Sequence, residues 1–108
     1  MSELKFIQDW YRSQCDGDWE HTYGIHLGTL DNPGWDLRID LIGTEWENIA
    51  FSPVSHNAGA QPDPHEQDWF TCYIKDGSWH GTGGPERLET LIIIFRTWIN
   101  QTSRSETA

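Results

Sequence analysis

The fold of this 108-residue chain is constrained most by two segments in which apolar and polar residues alternate, and by the turn that joins them. Apolar side chains occupy every second position from Tyr23 to Leu27, and again from Trp35 to Leu41. A period of two is typical of a strand with one buried face. The Asp-Asn-Pro-Gly sequence at 31–34 is a strong turn signal between the segments. The sequence therefore predicts an antiparallel β-hairpin.

Up to three further strands are predicted after the hairpin. Residues 45–51 alternate poorly, residues 69–75 are apolar on both faces, and residues 78–81 form a short segment after the Asp-Gly turn at 76–77. Residues 52–66, which contain Pro, Gly and His, predict a long loop. Loops of this length in a compact domain are usually functional or mobile.

Helical spacing of apolar residues marks both ends of the chain. The first helix is predicted from a cap at Ser2 to about Gln14, and the second from Pro85 to about Asn100. The apolar stripes are Leu4, Ile7, Trp10 and Tyr11 in the first helix, and Leu88, Leu91, Ile92, Phe95, Trp98 and Ile99 in the second. The predicted fold class is α+β: an antiparallel β-meander of four to five strands flanked by an N-terminal and a C-terminal helix, with both helices on one sheet face.

The length predicts a single domain over residues 1–102, followed by a polar tail at 103–108. If both helices cover one face of the sheet, the other face stays open to solvent or to a partner. Trp69, Tyr73 and Trp79 are candidates for that open face.

The formal net charge of -10 argues against direct binding of nucleic acid or of an anionic membrane, because both depend on clusters of Lys and Arg. The N-terminal residues lack the pattern of a signal peptide, so we expect a cytoplasmic protein. In a reducing cytosol, Cys15 and Cys72 are expected to be buried thiols rather than a disulfide.

The acidic turn, residues 16–20, is the densest polar cluster, and His21 follows it. It lacks the ligand spacing of an EF-hand, and the histidines show no zinc-protease pattern, so no metal or other cofactor is predicted. No nucleophile motif is present either, which argues against an enzyme. A hydrolase that uses the carboxylates between Asp16 and His21 stays open as an alternative.

Several short patterns together resemble one known family. They are Trp10-Tyr11, Gln-Cys-Asp-Gly-Asp-Trp-Glu-His at 14–21, Tyr23-Gly24, Thr-Leu-Asp-Asn-Pro-Gly-Trp at 29–35, Ile-Asp-Leu at 39–41, and then Trp69, Cys72, Gly81, Gly83-Gly84-Pro85, Leu88, Phe95 and Trp98. On these the chain is similar, over nearly its whole length, to the immunity protein 53 family of bacterial polymorphic toxin systems. The resemblance implies a cytoplasmic antidote that binds a toxin domain encoded beside it, with no enzymatic activity. It supplies no contact residues, and the loop at 52–66 matches no pattern of the family.

Charge and aromatic content also favour a partner protein with a basic face. The predicted partner-binding residues are Asp16, Asp18, Trp19, Glu20, Asp36, Asp40, Trp69 and Tyr73. Two interpretations of Trp19 stay open: a cap on the core, or an exposed anchor for the partner. A small-ligand module is a further alternative, with a pocket lined by Trp35, Trp69 and Trp79 under the long loop.

Overall fold

The computed structural model describes residues 2–58 and 67–107, with side chains as far as residue 102. The elements in chain order are α1 (Glu3–Gln14), α2 (Trp19–Thr22), β1 (Ile25–Leu30), β2 (Gly34–Asp40), β3 (Val54–His56), β4 (Phe70–Lys75), β5 (Ser78–Gly83) and α3 (Leu88–Thr107). The five strands form one sheet, and every neighbouring pair is antiparallel. The α+β class and the two flanking helices are therefore confirmed.

The order of the strands in the sheet is β1-β2-β5-β4-β3. Only β1–β2 and β4–β5 follow one another along the chain as tight hairpins, so the arrangement departs from the expected simple meander. The last strand, β5, inserts between β2 and β4, with Ile39 opposite Trp79 on one side and Ile74 opposite Trp79 on the other. This position buries the apolar side chain of Trp79 at the centre of the sheet.

Helix α1 begins where the sequence predicts, because the Ser2 hydroxyl accepts a hydrogen bond of 3.0 Å from the backbone N–H of Lys5. Its apolar stripe packs on α3, and its buried residues Ile7 and Trp10 belong to the same core as the inner face of the sheet. An ion pair of 2.7 Å between Arg96 and Glu3 also joins the two helices. Both helices therefore cover the same face of the sheet, as predicted.

Phe95 of α3 lies at the centre of the core and is completely buried. Its ring meets those of Trp10 and Trp79 edge to face, with centroids 5.1 and 5.3 Å apart. The indole N–H groups of these two tryptophans have no hydrogen-bond partner within the described part of the chain. Aromatic packing, rather than hydrogen bonding, therefore holds both side chains.

The segment after β2 is a series of turns and not the strand predicted at 45–51. Indole N–H groups fix it in place: Trp19 donates to the carbonyl of Ile42, Trp98 to that of Ala50, and Trp46 to the Thr102 hydroxyl, over 2.7 to 2.9 Å. Trp46 itself is buried in the core. The segment is thus held by side-chain hydrogen bonds to α2 and α3 instead of by pairing with a strand.

The predicted long loop at 52–66 includes the short strand β3, and its residues 59–66 lie outside the described part. At the C-terminus, α3 continues to Thr107, beyond the predicted end near Asn100 and into the predicted polar tail. The sequence offers no Gly or Pro that would stop the helix there.

The face of the sheet opposite the helices has polar side chains. One row across four strands consists of His26, Arg38, His80 and Tyr73, which the strand register places side by side. We call the surface around this row the open face. Trp79 does not belong to it, because its side chain is completely buried on the helix side.

Candidate partner-binding surface

The acidic turn is closed by its own carboxylates. The Asp16 carboxylate accepts hydrogen bonds from the backbone N–H groups of Asp18 (3.0 Å) and Trp19 (2.9 Å), and the Glu20 carboxylate accepts from Asp16 and Gly17, both at 2.9 Å. Each carboxylate thereby satisfies N–H groups that the turn and the start of α2 would otherwise leave free. Two of the predicted binding residues are thus also structural.

These hydrogen bonds stabilise the ionised carboxylates. The N–H groups of Trp19 and then Asp18 lower the pKa of Asp16 below its usual value. Backbone N–H groups, first its own and then those of Asp16 and Gly17, lower the pKa of Glu20. Both groups therefore carry negative charge at neutral pH.

Trp19 lies in the core under this turn, with 7% of its surface exposed. Its ring meets that of Trp10 edge to face with centroids 6.3 Å apart, and its indole N–H donates to the carbonyl of Ile42 over 2.8 Å. Of the two interpretations of Trp19, packing against the core is the one that the structure supports. Little of its ring remains accessible as an anchor for a partner.

The acidic turn is joined by two other segments at the same end of the molecule. Trp19 holds the turn at 41–47, and the backbone N–H of Leu41 donates to the carbonyl of Gly77 over 2.9 Å, which brings in the hairpin turn at 75–77. We call these three segments, residues 16–20, 41–47 and 75–77, the acidic end. They contain the carboxylates Asp16, Asp18, Glu20, Glu45, Glu47 and Asp76, against the single basic side chain of Lys75.

Three carboxylates of this surface, those of Glu45, Glu47 and Asp76, were not predicted from the sequence. All three are exposed. No local pattern could have found them, because they are separated along the chain and meet the acidic turn only through the contacts of Trp19 and Leu41.

The two predicted carboxylates of the hairpin differ in their environments. Asp40 is buried, with 8% exposed, and accepts hydrogen bonds from the backbone N–H of Gly24 (3.0 Å) and the hydroxyl of Ser78 (2.8 Å). It is a structural group that links the residue before β1, strand β2 and strand β5. Asp36 is exposed on the open face, beside Thr82. Asp36 therefore remains a candidate contact, and Asp40 does not.

Tyr73 lies on the open face, where its ring stacks on that of His80 with centroids 5.2 Å apart. Trp69 precedes β4, and its carbonyl accepts a hydrogen bond of 2.9 Å from the backbone N–H of Gly84. Both side chains are half-buried. The structure thus places Tyr73 on the open face, where it was predicted.

The predicted pocket between Trp35, Trp69 and Trp79 does not fit the structure, because Trp79 is completely buried. The Trp35 indole donates instead to the carbonyl of Pro85 over 2.9 Å. A groove of about 560 Å³ lies elsewhere, between α3 and the chain from Ala50 to Val54. Its lining is uncharged and includes Phe51, Ile93 and Trp98.

Within the described part of the chain, no three His, Cys, Asp or Glu side chains come close enough together to hold a metal ion. Burial raises the pKa of the Cys72 thiol to about 12, so this group is not a nucleophile at neutral pH. Cys15 is also a free thiol. The same residues contain no helix with the length and apolar character of a membrane span.

The structure thus defines a small α+β protein with a charged end and an open sheet face, and with no recognisable catalytic arrangement among its described residues. The model of the family called immunity protein 53 matches residues 4–100. The chain therefore belongs to the immunity protein 53 family. No curated protein and no solved structure matches the chain.

Proposed function

We propose that this protein neutralises a toxin encoded beside its own gene, in the cytoplasm of the cell that makes both, by covering a basic face of the toxin with its acidic end. Family membership over residues 4–100 supports an immunity function and a toxin as partner. The observation that carries the mode of binding is the meeting of three acidic segments at one end of the molecule. The protein acts by binding and not by catalysis.

The sign of the charge supports this mode. The formal net charge of -10 favours a cationic partner at long range. A toxin that cleaves or modifies nucleic acid needs a basic face to hold phosphates, and carboxylates can occupy the same positions. Inhibition is then competitive with the nucleic acid.

The test is a binding measurement with the toxin domain from the neighbouring gene. Asp18 and Glu45 are exposed, and neither carboxylate has a hydrogen bond within the described part of the chain, so the double variant Asp18→Lys/Glu45→Lys should fold normally. The matched control is Asp31→Lys/Glu86→Lys, which makes the same charge change at exposed positions outside the acidic end.

We expect the acidic-end variant to lower the association rate constant about tenfold or more at low salt and to flatten its salt dependence. The control should change this rate constant less, because its charges lie farther from the contact, and the difference should be clearest near 0.1 M salt, where charges more than about 10 Å away are largely screened. Equal effects of the two variants would contradict the acidic end as the contact. If the wild-type protein neither binds the toxin nor protects cells that express it, the immunity function itself is contradicted.

A small apolar ligand is a second candidate, for which the groove beside Phe51 and Trp98 is the specific observation. Its volume of about 560 Å³ lies within the range of ligand pockets. A thermal-shift screen with uncharged apolar compounds tests this function. The rise in melting temperature should disappear in Ile93→Lys, which places a charge in the groove lining.

A further inference from the structure

Strand β1 forms one edge of the sheet, and no described strand pairs with its outer side. Its sequence, Ile-His-Leu-Gly-Thr-Leu, contains no Asp, Glu, Lys, Arg or Pro. Proteins usually protect a long edge strand with such residues, with a bulge or by keeping it short. The opposite edge, β3, has only 3 residues, whereas β1 has 6. The edge at β1 is therefore the unprotected one.

The direction of the backbone groups of β1 follows from its pairing with β2. The backbone N–H of Asp40 donates to the carbonyl of Gly24 over 3.1 Å, whereas the N–H of Leu41 donates to Gly77 on the other side of β2. Residues of an antiparallel pair alternate between bonded and non-bonded positions. Even-numbered residues of β1 therefore bond to β2. The N–H and C=O groups of Ile25, Leu27 and Thr29 point away from the sheet.

Leu27 provides an apolar contact at the same edge. It lies opposite Leu37 on the helix side of the sheet, yet it is 55% exposed, whereas Leu37 is 3% exposed. The two helices therefore do not cover the outer margin of this face. An additional strand beside β1 would bury Leu27 and extend the core.

We propose that β1 pairs with β1 of a second copy of this chain, antiparallel about a twofold axis through Leu27. In this register Leu27 lies opposite its own copy and Ile25 lies opposite Thr29, so the outward N–H and C=O groups of all three residues are paired. Side chains on the helix-covered face of one copy then lie beside side chains on the helix-covered face of the other copy, as a continuous sheet requires. The arrangement is a symmetric dimer with a self-complementary interface.

Charge favours this edge over other surfaces for self-association. Two copies with 17 acidic and 7 basic residues each repel one another. The strand contains no Asp, Glu, Lys or Arg side chain that would oppose the contact. Salt screens the remaining repulsion, so the dimer should become tighter as the salt concentration rises.

The experiment is sedimentation equilibrium of the full chain over a range of protein concentrations. We expect reversible association to twice the 12.5 kDa mass of the chain. Leu27→Lys should raise the dissociation constant about tenfold or more, because it places like charges face to face across the axis. Leu4→Lys is the matched control, since Leu4 on α1 is another exposed leucine, at 62% against 55% for Leu27. Circular dichroism should show that both variants are folded.

A second readout locates the contact. Amide hydrogen exchange at Ile25, Leu27 and Thr29 should slow as the protein concentration rises, while exchange at the tip of the 31–33 turn should not change. Thr29→Pro removes one outward N–H at an edge position that tolerates proline, and should weaken the dimer as well.

A chain that stays monomeric up to about 1 mM would overturn the proposal. A dimer that Leu27→Lys and Leu4→Lys weaken equally, or one without slower exchange at these three amides, would also overturn it by placing the contact elsewhere. Protection of the same amides only when the toxin is added would assign the edge to a strand of the toxin instead.

Discussion

At the scale of single residues, the environment decides whether a carboxylate or an indole is available to a partner. Asp36 and Asp40 lie on the same strand and point to the same face, yet one is exposed and the other is buried with two hydrogen bonds. Trp19 likewise serves the core rather than the surface. Residue type alone therefore does not show which of these side chains a partner could reach.

The buried carboxylate gives a prediction about stability. Asp40→Ala leaves the N–H of Gly24 and the hydroxyl of Ser78 without their acceptor, which should lower the free energy of unfolding by about 1 to 3 kcal/mol. Asp36→Ala, on the same strand but exposed, should change it by less than about 0.5 kcal/mol. Urea unfolding of both variants measures the difference. Equal effects would contradict a structural role for Asp40.

Truncation of the central aromatic ring should lower the free energy of unfolding more than Asp40→Ala does. Phe95→Ala removes the ring that packs on Trp10 and Trp79, and should lower the free energy of unfolding by about 3 to 5 kcal/mol. Ile93→Ala is the control in the same helix, because Ile93 is 41% exposed, and it should cost far less. Unfolding followed by circular dichroism tests this. An unchanged melt for Phe95→Ala would show that α3 is not docked on the sheet.

At the scale of elements, the acidic turn depends on ionised carboxylates. Backbone N–H groups lower the pKa of Asp16 and Glu20 in the folded protein, and the Arg87 guanidinium lowers that of Asp68 beside β4. A group whose pKa is lower in the folded state adds stability above its unfolded pKa, and this stability is lost as pH falls through the folded value.

The free energy of unfolding should therefore fall as pH decreases below about 5, where carboxylates of ordinary pKa begin to bind protons. Asp16→Asn keeps one acceptor oxygen but removes the titration, so the variant should be less stable at neutral pH and lose less on acidification. Urea unfolding at a series of pH values gives the slope of the free energy of unfolding against pH for the variant and for the wild-type protein. A slope identical to that of the wild-type protein would contradict a role of Asp16 in acid sensitivity.

Close packing around Gly81, where β5 lies under α3, adds a further prediction at this scale. A Cβ at Gly81 of β5 would lie 2.8 Å from atoms of the Trp79 ring and 3.3 Å from Leu91 of α3. Gly81→Ala should therefore displace the Trp79 ring, which packs on Phe95 of α3, and destabilise the protein by about 1 to 3 kcal/mol, as overpacking does. Gly28→Ala, where a Cβ would meet nothing within 4 Å, is the control in β1. The melting temperature of Gly81→Ala should be lower than that of Gly28→Ala, and equal values would contradict close packing at Gly81.

At the scale of the whole molecule, stability should not depend on a metal ion. Because the described residues provide no cluster of ligands, addition of EDTA should leave the melting temperature within about 1 °C of its starting value. Differential scanning fluorimetry with and without the chelator measures this. A loss of several degrees that one metal restores would show that a metal contributes to folding.

The sequence by itself determined the elements whose signals are local. The alternation from Trp35 to Leu41 specified β2, the turn at 31–34 joined it to β1, and the cap at Ser2 started α1. The family patterns also lie in the sequence, so family membership could be predicted without a structure. These features were predictable because each depends on neighbours along the chain.

The tertiary structure alone decided what depends on contacts between distant residues. The insertion of β5 between β2 and β4 buried Trp79, and the Trp19 indole bound the carbonyl of Ile42 and so brought Glu45 and Glu47 to the acidic turn. The same packing left the outer edge of β1 without a partner strand among the described residues. Hydrophobic burial is non-directional and can join residues that are far apart along the chain. The exposed surfaces are therefore decided only when all the elements pack together.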